Sequence, residues 1–107
     1  MQTDNRLHNA IGLAMKAGKC VSGDFIVERT LRDNQARLVL LDETVSSSTR
    51  ERYERMCVRG ATPLVMLPAL GQAIGKPARM IAAVTDENMT KLILGAVAPG
   101  DKNGGKA

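Results

Sequence analysis

Leu38-Val39-Leu40-Leu41 places apolar side chains on both sides of an extended chain, so a strand here must be covered on both faces. Turn-forming Asn34 and acidic Asp42-Glu43 bound the run to strand length. Two further runs have the same character, Thr62-Pro63-Leu64-Val65-Met66-Leu67 and Met80-Ile81-Ala82-Ala83-Val84. Elsewhere apolar residues return at helical spacing. Leu7, Ala10, Ile11, Ala14 and Met15 form one stripe that stops at Gly18, a residue suited to the position just past a helix end. Cys20-Val21 suits a very short strand, after which Asp24 supplies an acid to the start of a helix through Phe25, Ile26, Val27, Thr30 and Leu31. Asp33-Asn34 ends that helix. Serines crowd the next helix start, Ser48 and Glu51 have capping-box spacing, and Tyr53, Met56, Cys57 and Gly60 share one face. Pro68 can open a short helix through Leu70, Ala73 and Ile74, which Gly75 closes. Thr85 stands at the N-cap position of a last helix, with Asp86 and Glu87 in its first turn and Met89, Leu92, Ile93 and Ala96 as its stripe.

This alternation predicts an α/β fold, a three-layer α/β/α sandwich around a small, mostly four-stranded mixed sheet. A chain of 107 residues suits one such domain, expected over residues 1–98. Residues 100–106 carry nothing apolar to bury, so nothing offsets the entropy of ordering them, and residues 99–107 are expected to be a disordered tail.

Fifteen Lys and Arg stand against eleven Asp and Glu, for a net charge of +4, which permits anionic partners. The positive residues cluster as Arg29 and Arg32 on one helix, Arg50, Arg52, Arg55 and Arg59 on another, and Lys76 with Arg79 in a loop. Helix arginines have acidic partners within reach at Glu28, Glu51 and Glu54, whereas the two loop cations have none nearby in sequence. With one Tyr, one Phe and no Trp, a row of base-stacking rings is excluded.

Little in the chain suggests catalysis. His8 has no Asp or Ser at a spacing that pairs with it, and Gly71-Gln72-Ala73-Ile74-Gly75-Lys76 matches neither spacing of a glycine-rich nucleotide loop. Cys20 and Cys57 with one histidine cannot supply the four ligands of a structural zinc site, so neither metal nor cofactor is expected. Lys19 beside Cys20 is the one feature that could activate a thiol. No apolar run approaches the roughly 20 residues that span a bilayer, and no signal-like start precedes residue 10. The chain reads as cytoplasmic, with reduced thiols.

Read in order, SGDFIVERTLRDNQARLVLLDET, ATPLVML and LGQAIGKPARMIAAVTD resemble the small bacterial YlxQ-type members of the ribosomal L7Ae, L30e and Gadd superfamily, the likeness running over about residues 7–94. The resemblance implies a three-layer sandwich that binds structured RNA, typically kink-turns, without cofactor or catalysis. The family opens its second helix with Gly-x-Asn-Glu-x-x-Lys. This chain has Gly23, then Asp24, Phe25 and Ile26 where Asn and Glu stand, and Arg29 for the Lys. Phe25 thus offers a ring, and Ile26 an alkyl chain, where the motif offers base-edge hydrogen bonds. The family's Leu-Gly-x-Ala-x-Gly, followed by a loop against the RNA, matches Leu70, Gly71, Ala73 and Gly75, which places Lys76, Pro77, Ala78 and Arg79 at the contact.

On this resemblance Gly23 lets a phosphate approach free helix amides, Asp24 opposes it, and Arg29 and Lys76 clamp the backbone. Ser22 and residues 75–79 are left to discriminate bases. The implied partners are structured RNA, ribosomal RNA among them, and proteins of the translation machinery, with neither membrane nor DNA. The alternative is a protein-interaction module on the same fold, as in the Gadd branch.

Overall fold

The computed structural model describes residues 2–97 and 102–103. In chain order the elements are α1 (Gln2–Lys16), β1 (Cys20–Ser22), α2 (Asp24–Arg32), β2 (Leu38–Asp42), α3 (Ser47–Gly60), β3 (Leu64–Leu67), α4 (Leu70–Ile74), β4 (Ile81–Val84), α5 (Glu87–Gly95) and β5 (Lys102–Asn103). They build one mixed sheet of order β1-β4-β2-β3-β5, in which only β2 and β3 run parallel. Every residue of β2 is buried, as its double-sided apolar pattern requires.

The pleat of β2 sorts the core into two layers. Leu38 and Leu40 join Val65, Leu67, Ala82 and Val84 beneath Leu7, Ile11, Leu70 and Ile93, so α1, α4 and α5 cover one face. Val39 and Leu41 join Leu64, Ile81 and Ala83 beneath Val27, Tyr53 and Cys57, so α2 and α3 cover the other. The three-layer sandwich expected from the sequence is the fold observed.

Several local expectations are corrected. Ser46 caps α3: its backbone is extended (φ −65°, ψ 157°) and its hydroxyl accepts from the Thr49 amide at 3.2 Å, which leaves Ser48 inside the first turn. Asp86 caps α5 by accepting from the Met89 amide at 2.9 Å, because Thr85 is engaged with the Lys19 carbonyl. Leu92 is 46% exposed, so the buried stripe of α5 runs through Thr90 and Ile93 instead. Pro68 precedes α4, which starts at Leu70 after a left-handed Ala69. The tail expected over 99–107 falls outside the described residues except for Lys102 and Asn103. These two extend the sheet rather than remaining free, because pairing with β3 satisfies backbone groups at its outer edge and requires no apolar side chain.

Candidate functional site

Strand register brings the two sequence segments singled out above to one rim of the sheet. Ser22 pairs with Ala82, Leu41 with Ile81, and Asp42 with Leu67, so the ends of β1, β2 and β3 and the start of β4 lie together. Helices α2 and α4 begin on this rim, and the loop 75–79 returns to it before β4. Open α/β sheets commonly present their binding groups at such carboxyl ends.

At its centre, Arg79 Nη1 donates to the Ser22 carbonyl oxygen at 2.7 Å and to Ser22 Oγ at 3.3 Å. The guanidinium crosses Gly23, where a Cβ would lie 2.6 Å from Nη1 and where φ is +109°, a region L side chains rarely adopt. The close approach at Gly23 is therefore made by the protein's own Arg79. Among the described residues no carboxylate pairs with Arg79, so the nitrogens not bound to Ser22 keep their donors and their charge for another anion.

The loop is held by contacts that the glycine motif makes possible. A Cβ on Gly71 would stand 2.6 Å from the Pro77 carbonyl oxygen and 2.9 Å from that of Lys76, both backbone atoms that cannot swing aside. The Lys76 amide donates to the Gly71 carbonyl and the Arg79 amide to the Lys76 carbonyl, each at 2.9 Å. Gly75, Lys76, Pro77, Ala78 and Arg79 are all exposed.

Asp42, buried under this rim at 7% exposure, accepts from the Leu70 amide at 2.8 Å and from the amide and hydroxyl of Thr44. Burial pushes its carboxyl up, but the bonds from Thr44 and Leu70 outweigh this and hold it below the usual carboxylate range. No local pattern signals this bond, since Leu70 lies 28 residues beyond Asp42. This link from β2 to the first turn of α4 fixes where the loop begins.

Asp24 does not oppose an anion as a free charge. Its carboxylate accepts from the Tyr53 hydroxyl and, at 2.9 Å, from Arg52 Nη2 on α3. The bond from Tyr53, opposed by partial burial and aided by Arg52, holds Asp24 below its ordinary value. Arg52 also reaches Glu28 at 3.2 Å, while Arg50 pairs with Glu54 and Arg32 with Glu28. Of the four arginines on the α3 face, Arg50 and Arg52 are thus paired.

Phe25 is 75% exposed and Ile26 40%, whereas Val27, one residue on, is fully buried. Arg29 follows Phe25 by four residues and Ile26 by three, on the same face of α2, and is exposed. Glu43, just past β2, adds an exposed carboxylate to the rim.

The other candidates drop away. Burial pushes the Cys20 thiol up to about 11 and that of Cys57 up to about 12, so Lys19 does not activate Cys20. His8 Nε2 lies 3.1 Å from the Pro68 carbonyl and joins α1 to the α4 entry. No group of three or more metal-ligating side chains occurs, and no helix is long and apolar enough to cross a membrane, among the described residues.

Over 87 residues the chain is 37% identical to the RNA-binding protein YlxQ of Bacillus subtilis, covering 78% of this chain and 87% of that one. It is 29% identical over 86 residues to the RNA-binding protein YlxQ of Enterococcus faecium, covering 78% and 82%. Among solved structures, a Bacillus halodurans protein of unknown function superposes with a TM-score of 0.79 at 23% identity, over 85% of this chain and 95% of that chain. The Giardia lamblia 15.5kD RNA binding protein does so with a TM-score of 0.73 at 13% identity, over 90% and 85%. The family model for ribosomal protein L7Ae/L30e/S12e/Gadd45 matches residues 5–94, and the chain belongs to that family.

Proposed function

We propose that this protein is a non-catalytic RNA-binding module whose contact surface is the rim formed by the start of α2 and the loop 75–79. The observation that carries this reading is Arg79, anchored through Nη1 on Ser22 and unpaired with any carboxylate among the described residues. An arginine held in this way loses little further freedom when it binds a phosphate oxygen. Lys76 stands three residues before it in the same exposed turn, and Arg29 extends the positive surface along α2. Gly23 offers no side-chain cap to the first amides of α2, and the Arg79 guanidinium that crosses it sets a positive group beside that helix start. The names of the two YlxQ relatives, both RNA-binding proteins, support the same reading.

We further propose that the RNA is structured RNA of the kink-turn class and that the protein acts in the cytoplasm in association with the ribosome. Ser22, Gly23, Asp24, Phe25, Ile26, Arg29, Gly75, Lys76, Pro77, Ala78 and Arg79 form the proposed surface, with Asp24 acting as an internal brace to α3 rather than as a contact. Fluorescence anisotropy of the purified protein with a kink-turn RNA and a length-matched plain duplex, across a salt series, tests it. A preference of about tenfold, roughly 1.4 kcal/mol, for the kink-turn is expected. Equal binding of both removes the kink-turn assignment, and no salt-dependent binding of either favours a protein-interaction module.

A further inference from the structure

Phe25 is the only phenylalanine in the chain, and three-quarters of its surface faces solvent. A large apolar side chain left outside the core forgoes the free energy of burial, although α2 has an inward face, filled by Val27 and Leu31. Ile26 extends the apolar surface along α2, and on the same rim Met80, the residue before β4, is 43% exposed. Apolar surface on this rim is accompanied by cations: Arg79 over Gly23, Lys76 in the preceding turn and Arg29 one helical turn beyond Phe25. The neighbouring carboxylate, Asp24, is turned toward Tyr53 and Arg52 on α3. A ring without hydrogen-bonding groups, set beside donors for phosphate, complements a ligand that carries a flat aromatic face and negative charge together. In RNA only an unpaired, unstacked base exposes such a face next to its own phosphates.

Resting on the RNA reading above, we propose that Phe25 stacks on one extruded nucleobase while Lys76 and Arg79 hold the flanking phosphates, so that the site selects RNA carrying an unpaired base. Selection by stacking tolerates base identity, because every base has a π-face. It also requires that the base be present, which paired or abasic RNA cannot satisfy.

The test uses the full chain, fluorescence anisotropy and three hairpin RNAs: one with a single bulged adenine, one with an abasic residue at that position, and one fully paired. The native protein is expected to bind the bulged-adenine hairpin about tenfold more tightly than the abasic one. Phe25→Leu is expected to erase that preference while keeping salt-dependent binding to all three, and Phe25→Trp to retain it. Equal binding of the adenine and abasic hairpins by the native protein, or an undiminished preference in Phe25→Leu, overturns the proposal. The Lys76→Ala/Arg79→Ala double variant separates this from failure of the RNA reading. If it weakens binding to all three hairpins, the RNA reading stands whatever Phe25 does; if native and double variant bind equally weakly, both fall. Thermal unfolding of Phe25→Leu is expected to match the native protein, because the side chain is not part of the core.

Discussion

Arg79 donates across Gly23 to the Ser22 carbonyl oxygen at 2.7 Å, joining two segments that lie 57 residues apart in the chain. Gly23→Ala would strain a backbone at φ +109° and put a Cβ 2.6 Å from Arg79 Nη1, displacing the guanidinium from Ser22. RNA affinity is therefore expected to fall in Gly23→Ala and in Arg79→Ala, with the two losses overlapping in the double variant. A double-mutant cycle from anisotropy titrations checks this, with a coupling of about 0.5–3 kcal/mol expected for groups in contact. Simple additivity would show that Gly23 does not act through Arg79.

Gly71→Ala is expected to destabilise the fold by about 1–3 kcal/mol, because the new methyl group meets two backbone oxygens that cannot rotate away. Urea denaturation measures the loss. The same variant should weaken RNA binding by shifting the loop 75–79, whereas a Gln72→Ala control, altering an exposed residue, should change neither.

Asp42→Ala leaves the Leu70 amide without its partner in a buried position, at a cost of about 1–3 kcal/mol. The acid limb of stability follows from the same carboxylate. Asp42 and Asp24 are both held below their ordinary values, so the folded state takes up protons less readily than the unfolded chain. Their contribution is complete above the unfolded carboxylate value of about 3.9, and is lost as pH falls through the lower folded values. Urea titrations at stepped pH should show stability falling below about pH 4, with a shallower fall in Asp42→Asn.

Both thiols are buried and pushed well above neutral pH, Cys20 to about 11 and Cys57 to about 12. Ellman's reagent is therefore expected to react slowly with the native protein and rapidly once urea unfolds it. Reaction of the folded protein at the rate of a free thiol would contradict this.

The architecture was legible because Leu38, Val39, Leu40 and Leu41 admit only a doubly covered strand, and the flanking periodicities admit only helices. Positions that depend on tertiary placement were not. Four consecutive hydroxyl residues at 46–49 make any choice of α3 cap locally reasonable, and the extended backbone at Ser46 decides it. Phe25, Ile26 and Val27 present three successive faces of a helix of nine residues, and only docking on the sheet makes Val27 the buried one. The bonds from Arg79 to Ser22 and from Leu70 to Asp42 span 57 and 28 residues, and they exist because strand order folds those ends together. The glycines stand out in the sequence, but their reasons, a crossing guanidinium at Gly23 and a packed loop at Gly71, arise only from tertiary placement.

If Lys76 and Arg79 neutralise RNA phosphates, the salt dependence of binding must report them. Anisotropy titrations of native protein and of the Lys76→Ala/Arg79→Ala variant against one structured RNA give the slope of log affinity on log salt. The slope should become shallower in the variant by about 0.7–0.9 for each phosphate contact removed. An unchanged slope would contradict the account, even if affinity fell.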